Sequence, residues 1–216
     1  MDYPVYKLFF FKRGVKALNM SAEDFEALVV AQTREPARLL GVRQMLVANM
    51  RWSNERSEYY GIELFPSLEV QQEYTRILEG LDWFSYVDGE SYLGIPMDST
   101  ANNITPPEPP PPGEKTVYRV YLSRLTDYGH GLSPDKLNEV WALGREALNR
   151  AGGRMILSGY MRWNNEDWES FGVERFPSHE AVLSYSQFLS VSGWYRVSAA
   201  RSFLGTGIGG DLCAGC

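Results

Sequence analysis

Cysteine is almost missing from this chain of 216 residues. There are two, Cys213 and Cys216, both in the last four positions. They can staple nothing in a core, so disulfides do not hold the fold together. Histidine is as scarce, with only His130 and His179. A two-histidine metal site needs a third ligand, and no spacing announces one. No apolar run approaches the roughly 20 residues that span a bilayer. The N-terminal stretch MDYPVYKLFFFKRG lacks the basic-then-apolar order of a secretion signal. Basic charge is also short: 21 Lys and Arg stand against 27 Asp and Glu, a net charge of −6. Such a surface repels phosphate backbones and anionic headgroups, which argues against nucleic acid and membrane as partners. A cytoplasmic location is the expectation. No G-x-x-x-x-G-K-[ST] loop and no G-x-S-x-G elbow occurs, so neither phosphate cradling nor serine catalysis is announced, and no cofactor is expected.

What the chain does have is a repeat. Residues 50–94 begin MRWSNE and residues 161–205 begin MRWNNE; the two blocks align without a gap over 45 positions, 18 of them identical. A tandem repeat sets the architecture before local propensity is consulted. Hydrophobic residues make up 44% of the chain and aromatics 13%, enough for genuine cores. Between the copies lies ITPPEPPPPGEK, where proline locks φ and removes donors, as in a stiff extended spacer. The expected division is 1–98 for the first repeat, 99–115 for the linker, 116–205 for the second repeat and 206–216 for a Gly/Cys tail.

Each half reads alike. VYKLFFF at 5–11 and VYRVYLS at 117–123 are aromatic and β-branched, and predict strands. Ser21 and Ser133 open amphipathic helices, with Pro134 at the favoured first position and Pro36 expected to end or kink the first helix early. Strands are expected over 44–52 and 155–163, with Leu46, Ala48, Met50 and Trp52 sharing one face and Val47, Asn49 and Arg51 the other. A turn at Asn54 or Asn165 leads to a third strand over 60–65 or 171–176. Ser67 and Ser178 cap a second helix, and last strands run over 84–93 and 195–204. His130 falls in an expected flexible loop.

The order is β-α-β-β-α-β, twice. This is the split unit of the ferredoxin-like fold, an α+β class in which two helices cover one face of a four-stranded antiparallel sheet. The uncovered faces carry aromatics, and packing sheet against sheet satisfies both. The pattern resembles the dimeric α+β barrel superfamily in a tandem, single-chain form, similar to NIPSNAP-type, EthD-type and antibiotic-biosynthesis-monooxygenase-type proteins. The resemblance implies two tandem ferredoxin-like repeats closed into an α+β barrel, with a ligand pocket between the sheets. Some members of this broad fold bind haem through histidine.

Within that frame, Arg51, Trp52 and Glu63, with their copies Arg162, Trp163 and Glu174, are the candidate ligand-binding residues. Arg–Glu pairing across the hairpin of the second and third strands is expected. Arginine would hold an anionic or carbonyl-bearing ligand, and glutamate would orient it or act as a base; a plain structural salt bridge is the competing reading. The tail thiols Cys213 and Cys216 are an incidental end, a redox or metal arm, or a substrate for a tail-modifying enzyme. The leading expectation is a small-molecule-binding barrel, with a cofactor-independent enzyme of secondary or aromatic metabolism as one form of it. The alternative is an interaction or precursor protein that works through its tail. Either a monomer with an internal pseudo-dimer or a homodimer fits the repeat.

Overall fold

The computed structural model describes residues 3–97 and 116–207. The proline-rich linker and the tail with Cys213 and Cys216 lie outside these residues. The first half runs β1 (Val5–Arg13), α1 (Ala22–Leu39), β2 (Arg43–Asn49), β3 (Tyr59–Phe65), α2 (Leu68–Gly80) and β4 (Val87–Pro96). The second runs β5 (Val117–Leu125), a single turn α3 (Asp127–His130), α4 (Pro134–Arg150), β6 (Arg154–Tyr160), β7 (Ser170–Phe176), α5 (His179–Val191), a single turn α6 (Trp194–Val197) and β8 (Ser198–Gly207). No helix among the described residues is long and apolar enough to cross a membrane.

The serines cap as expected. Ser21 Oγ accepts from the Asp24 amide, Ser67 from Val70, Ser133 from Lys136 and Ser178 from Ala181. Two expectations change. Pro36 does not cut α1 short; it sits in the last turn, where the helix loses one hydrogen bond and still runs to Leu39. His130 lies in the capped turn α3, with Thr126 as its cap, and not in a loop.

The eight strands form one closed barrel in the order β1-β3-β2-β8-β5-β7-β6-β4. Each half contributes four strands in ferredoxin-like order, and the halves meet at two short seams. At one, Ala48 and Asn49 of β2 pair with Gly207 and Thr206 of β8. At the other, Ile95 and Pro96 of β4 pair with Tyr160 and Gly159 of β6. Closure leaves no sheet edge among the described residues open for pairing with other chains.

Alternation along the strands sends one face inward. Tyr6, Leu8, Phe10, Leu46, Ala48, Met50, Tyr60 and Ile62 meet Tyr118, Val120, Leu122, Met161, Phe171 and Val173 in a single barrel core. A β-bulge in β2, between Gln44 and Leu46, also turns Met45 inward; β6 repeats it between Met155 and Leu157. The outward faces pack under helices in two separate layers, one around Phe25, Tyr74 and Trp83 and one around Leu148, Tyr185 and Leu189.

Glycine makes the seams possible. A Cβ on Gly94 would come within 2.5 Å of the Phe171 ring, and one on Gly205 within 2.7 Å of the Tyr60 ring. Tyr60 and Phe171 are equivalent residues, so each half lodges an aromatic ring against the other half's glycine. The Tyr60 hydroxyl also donates to the Tyr118 carbonyl at 3.0 Å.

Candidate functional site

The two cavities described do not lie between the two sheets. Large side chains of the barrel core pack there, and these two cavities lie on the outer faces, one under the helices of each half. The second-half cavity, about 420 Å³, is bounded by β5, β7, α4, α5 and α6. The first-half cavity, about 340 Å³, is bounded by β1, β3, α1, α2 and β4. Both volumes fall in the range of small-molecule sites.

Glu63 and Glu174 belong to these cavities, although not through the pairing expected of them. Strand β3 is flanked by β1 as well as β2, and Glu63 stands in register with Lys7 of β1. Likewise Glu174 stands in register with Arg119 of β5. Arg119 Nη1 donates to Glu174 Oε2 at 2.5 Å, and Arg119 Nη2 to Ser202 Oγ at 2.7 Å. The Tyr185 hydroxyl donates to Glu174 Oε1 at 2.9 Å. Arg119 and Glu174 are 6% and 2% exposed, so the pair is desolvated. Burial works against the Arg119 charge, but Glu174, Tyr185 and Tyr121 together outweigh it and lift the guanidinium pKa. Burial, and then the Glu174 charge, push the Tyr185 phenol far above its ordinary value, so it stays protonated as a donor.

The first half repeats this arrangement with weaker links. The Tyr74 hydroxyl donates to Glu63 Oε1 at 3.2 Å. The Lys7 ammonium lies 5.9 Å from the centroid of the Tyr74 ring. Burial raises the Glu63 pKa, while the Lys7 charge and the Tyr74 hydrogen bond pull the other way.

Arg51 and Arg162 pair elsewhere. Arg51 Nε donates to Glu58 Oε2 at 2.9 Å, and Arg162 Nη1 to Glu169 Oε1 at 3.3 Å. Strand β2 ends at Asn49 and β6 at Tyr160. Residues 50–53 and 161–164 therefore turn away from the sheet, and Trp52 and Trp163 stand 47% and 42% exposed. None of these four residues lines either cavity. Their loops fasten the seams. Ser53 Oγ donates to the Leu204 carbonyl at 2.5 Å, Asn164 Nδ2 to the Leu93 carbonyl at 3.2 Å, and Trp52 packs edge-on against His179 at 4.8 Å. Asn54 and Asn165 accept backbone amides within the same loops.

Lys7, Arg119, Tyr74 and Tyr185 are the residues that sequence reasoning missed. The signal was present: a lone cation at the third position of VYKLFFF and VYRVYLS, and a tyrosine kept in both copies of the second helix.

The cavity walls differ between halves. Trp141 and Trp194 meet edge-to-face at 4.9 Å beside the second cavity, where Gly144 leaves room for the Trp194 ring. Counted from the capping serines, Val29 and Thr33 of α1 stand where α4 has Trp141 and Arg145. Arg145 is exposed on the second cavity's lining and has no hydrogen-bond or ion-pair partner among the described residues.

A closed antiparallel barrel of two ferredoxin-like halves, with helices on its outer face, is an α+β barrel fold. Among solved structures, the chain is similar to chlorite dismutase from Candidatus Nitrospira defluvii in complex with imidazole, at a TM-score of 0.73 and 11% identity over 96% of this chain and 92% of that one. It is also similar to a heme-binding protein from Thermus thermophilus, at a TM-score of 0.66 and 9% identity over 97% and 92%. At such identities the likeness concerns the fold. No family model and no curated protein matches the sequence.

The haem bound by one of these neighbours sets a test for the cavities. Among the described residues, neither is lined by histidine or cysteine. His130 lies 3.4 Å from Glu169, and His179 lies against Trp52 at the seam. The second cavity offers Tyr121, Tyr185, Met97 and Met155 as other donors. Tyr185 is held protonated on Glu174, which disfavours the phenolate an iron centre needs. The donor set does not fit a histidine-held haem.

Proposed function

We propose that this protein binds a planar aromatic acid in the second-half cavity. The carrying observation is a cavity walled by Trp141, Trp194 and Tyr121, floored by the closed Arg119–Glu174–Tyr185 cluster, with the uncommitted Arg145 on its lining. Aromatic walls supply contact area and stacking, and a guanidinium supplies a planar fork for a carboxylate. The facing groups hold and orient. Both Glu174 oxygens are engaged, so the carboxylate is not set up as a base. The lining carries Arg119 and Arg145 against Glu174, a net positive balance that favours an anion.

Titration with 2-naphthoate, followed by tryptophan fluorescence, tests this. Quenching that saturates is expected. Arg145→Ala should weaken binding by about fivefold, equivalent to about 1 kcal/mol for an exposed charge-assisted contact. Equal affinity in the variant, or no saturable quenching, would refute it. Hemin added in parallel should give no histidine-ligated absorption spectrum.

A further inference from the structure

The first-half cavity has a feature that its twin lacks. Glu174 is closed off by its own chain, since one oxygen meets Arg119 and the other meets Tyr185. Glu63 is 9% exposed and is met on Oε1 by Tyr74. Its Oε2 has no hydrogen-bond partner among the described residues and stays accessible from the cavity. Lys7 holds the register position of Arg119, but makes no hydrogen bond or ion pair to Glu63 among the described residues. Lysine presents a single flexible ammonium where arginine presents a rigid fork, so it does not close the cluster. An acceptor and a donor thus face one space, unjoined. Phe9, Phe11, Val47, Leu78 and Trp83 wall that space.

We infer that the first-half cavity binds a hydroxyaryl compound, whose hydroxyl donates to Glu63 and accepts from Lys7 while its ring lies among the apolar walls. A hydroxyl is the smallest group that both donates and accepts. A carboxylate would face Glu63, with Asp88 and Glu90 also on the lining. An ammonium would face Lys7. A bare hydrocarbon would bury Glu63 without satisfying it, at a cost in affinity. Asp88 and Glu90 are themselves engaged, with Lys12 at 3.3 Å and with the Tyr92 hydroxyl at 3.1 Å, so they do not compete for the ligand's hydroxyl. The cavity is large enough for a bicyclic ring. A hydroxyl can meet the Glu63 carboxyl in either of its protonation states.

Calorimetric titration with 2-naphthol tests the site independently of the acid-binding cavity. One binding site is expected. Naphthalene, which lacks the hydroxyl, and the Lys7→Met variant with 2-naphthol should each bind about tenfold more weakly. Val29→Trp, which fills the cavity from α1, should abolish binding while circular dichroism reports a folded protein. Saturating 2-naphthoate should change 2-naphthol affinity by less than about twofold, because the two sites share no residues. Three outcomes would overturn the inference: no binding of 2-naphthol, equal affinity for naphthalene, or unchanged affinity in Lys7→Met. Failure of 2-naphthoate alone to bind would count against the second-half site and leave this one standing.

Discussion

Replacing Glu174 with leucine keeps nearly the same volume and removes the carboxylate from a closed cluster. Arg119 would then stay buried with the Ser202 hydroxyl as its remaining hydrogen-bond partner among the described residues. Its side chain is 7% exposed, against 3% for Glu174. Breaking one partner of a buried pair costs about 3–5 kcal/mol, most of it the uncompensated charge. For a chain of this size each kcal/mol lowers the midpoint by about 2–4 °C, so Glu174→Leu should melt about 6–20 °C below the parent. The triple variant Arg119→Met, Glu174→Leu, Tyr185→Phe removes the charge and the stranded hydroxyl together. It should return to within about 2 kcal/mol of the parent, because a well-packed apolar replacement of a buried pair is often close to neutral. The first half supplies an internal control. Glu63→Leu removes an acceptor from Tyr74 and leaves a lysine that can swing toward solvent, a cost of about 1–3 kcal/mol. Urea titration followed by far-UV circular dichroism measures all three. A single Glu174→Leu cost below about 1 kcal/mol, or a triple variant as unstable as the single one, would show that the cluster is not the desolvated ion pair described.

Glu63 should leave a mark on the pH dependence of stability. Its folded-state pKa is raised above the ordinary 4.5 by burial. The folded chain therefore holds a proton that the unfolded chain releases. That contribution is present below the ordinary value and is lost as pH rises through the raised one. Glu63→Gln should remove this decline, so the parent-minus-variant difference in unfolding free energy should fall across the window, and a flat difference would contradict the shift. At the seam, Gly205→Val must displace the Tyr60 ring or the Ala48 methyl, which a Cβ would approach to 2.7 Å and 2.9 Å. A loss of about 1–3 kcal/mol is expected from overpacking, read by thermal melting, and an unchanged midpoint would mean that the seam is slack.

Local pattern carried much of this structure. The period-two runs became strands, the four serines capped the helices they precede, and the repeat imposed β-α-β-β-α-β on both halves. Strand pairing was less legible. A hairpin shows which strand precedes β3, but β1 reaches its other side only through the ferredoxin order, so in the second half the partner of Glu174 is 55 residues away. The bulge at Met45 has no local cue, because the slip depends on what the barrel interior can hold. Trp52 looked like a continuation of alternating strand residues, yet β2 stops at Asn49 and the tryptophan serves the seam. Neither of the two cavities described lies in the expected place between the sheets. Tyr6, Phe10, Met50, Tyr60 and Phe171 are each at most 1% exposed, and they occupy that interior themselves.

The reciprocal seating of Tyr60 and Phe171 divides the molecule by who bears the cost of change. A substitution at a seam touches both copies at once, because each copy's ring sits on the other's glycine. A substitution in a cavity touches one copy and leaves its twin as it was. In a chain of two such halves, one cavity's walls can change while the other's, and the barrel between them, stay as they are.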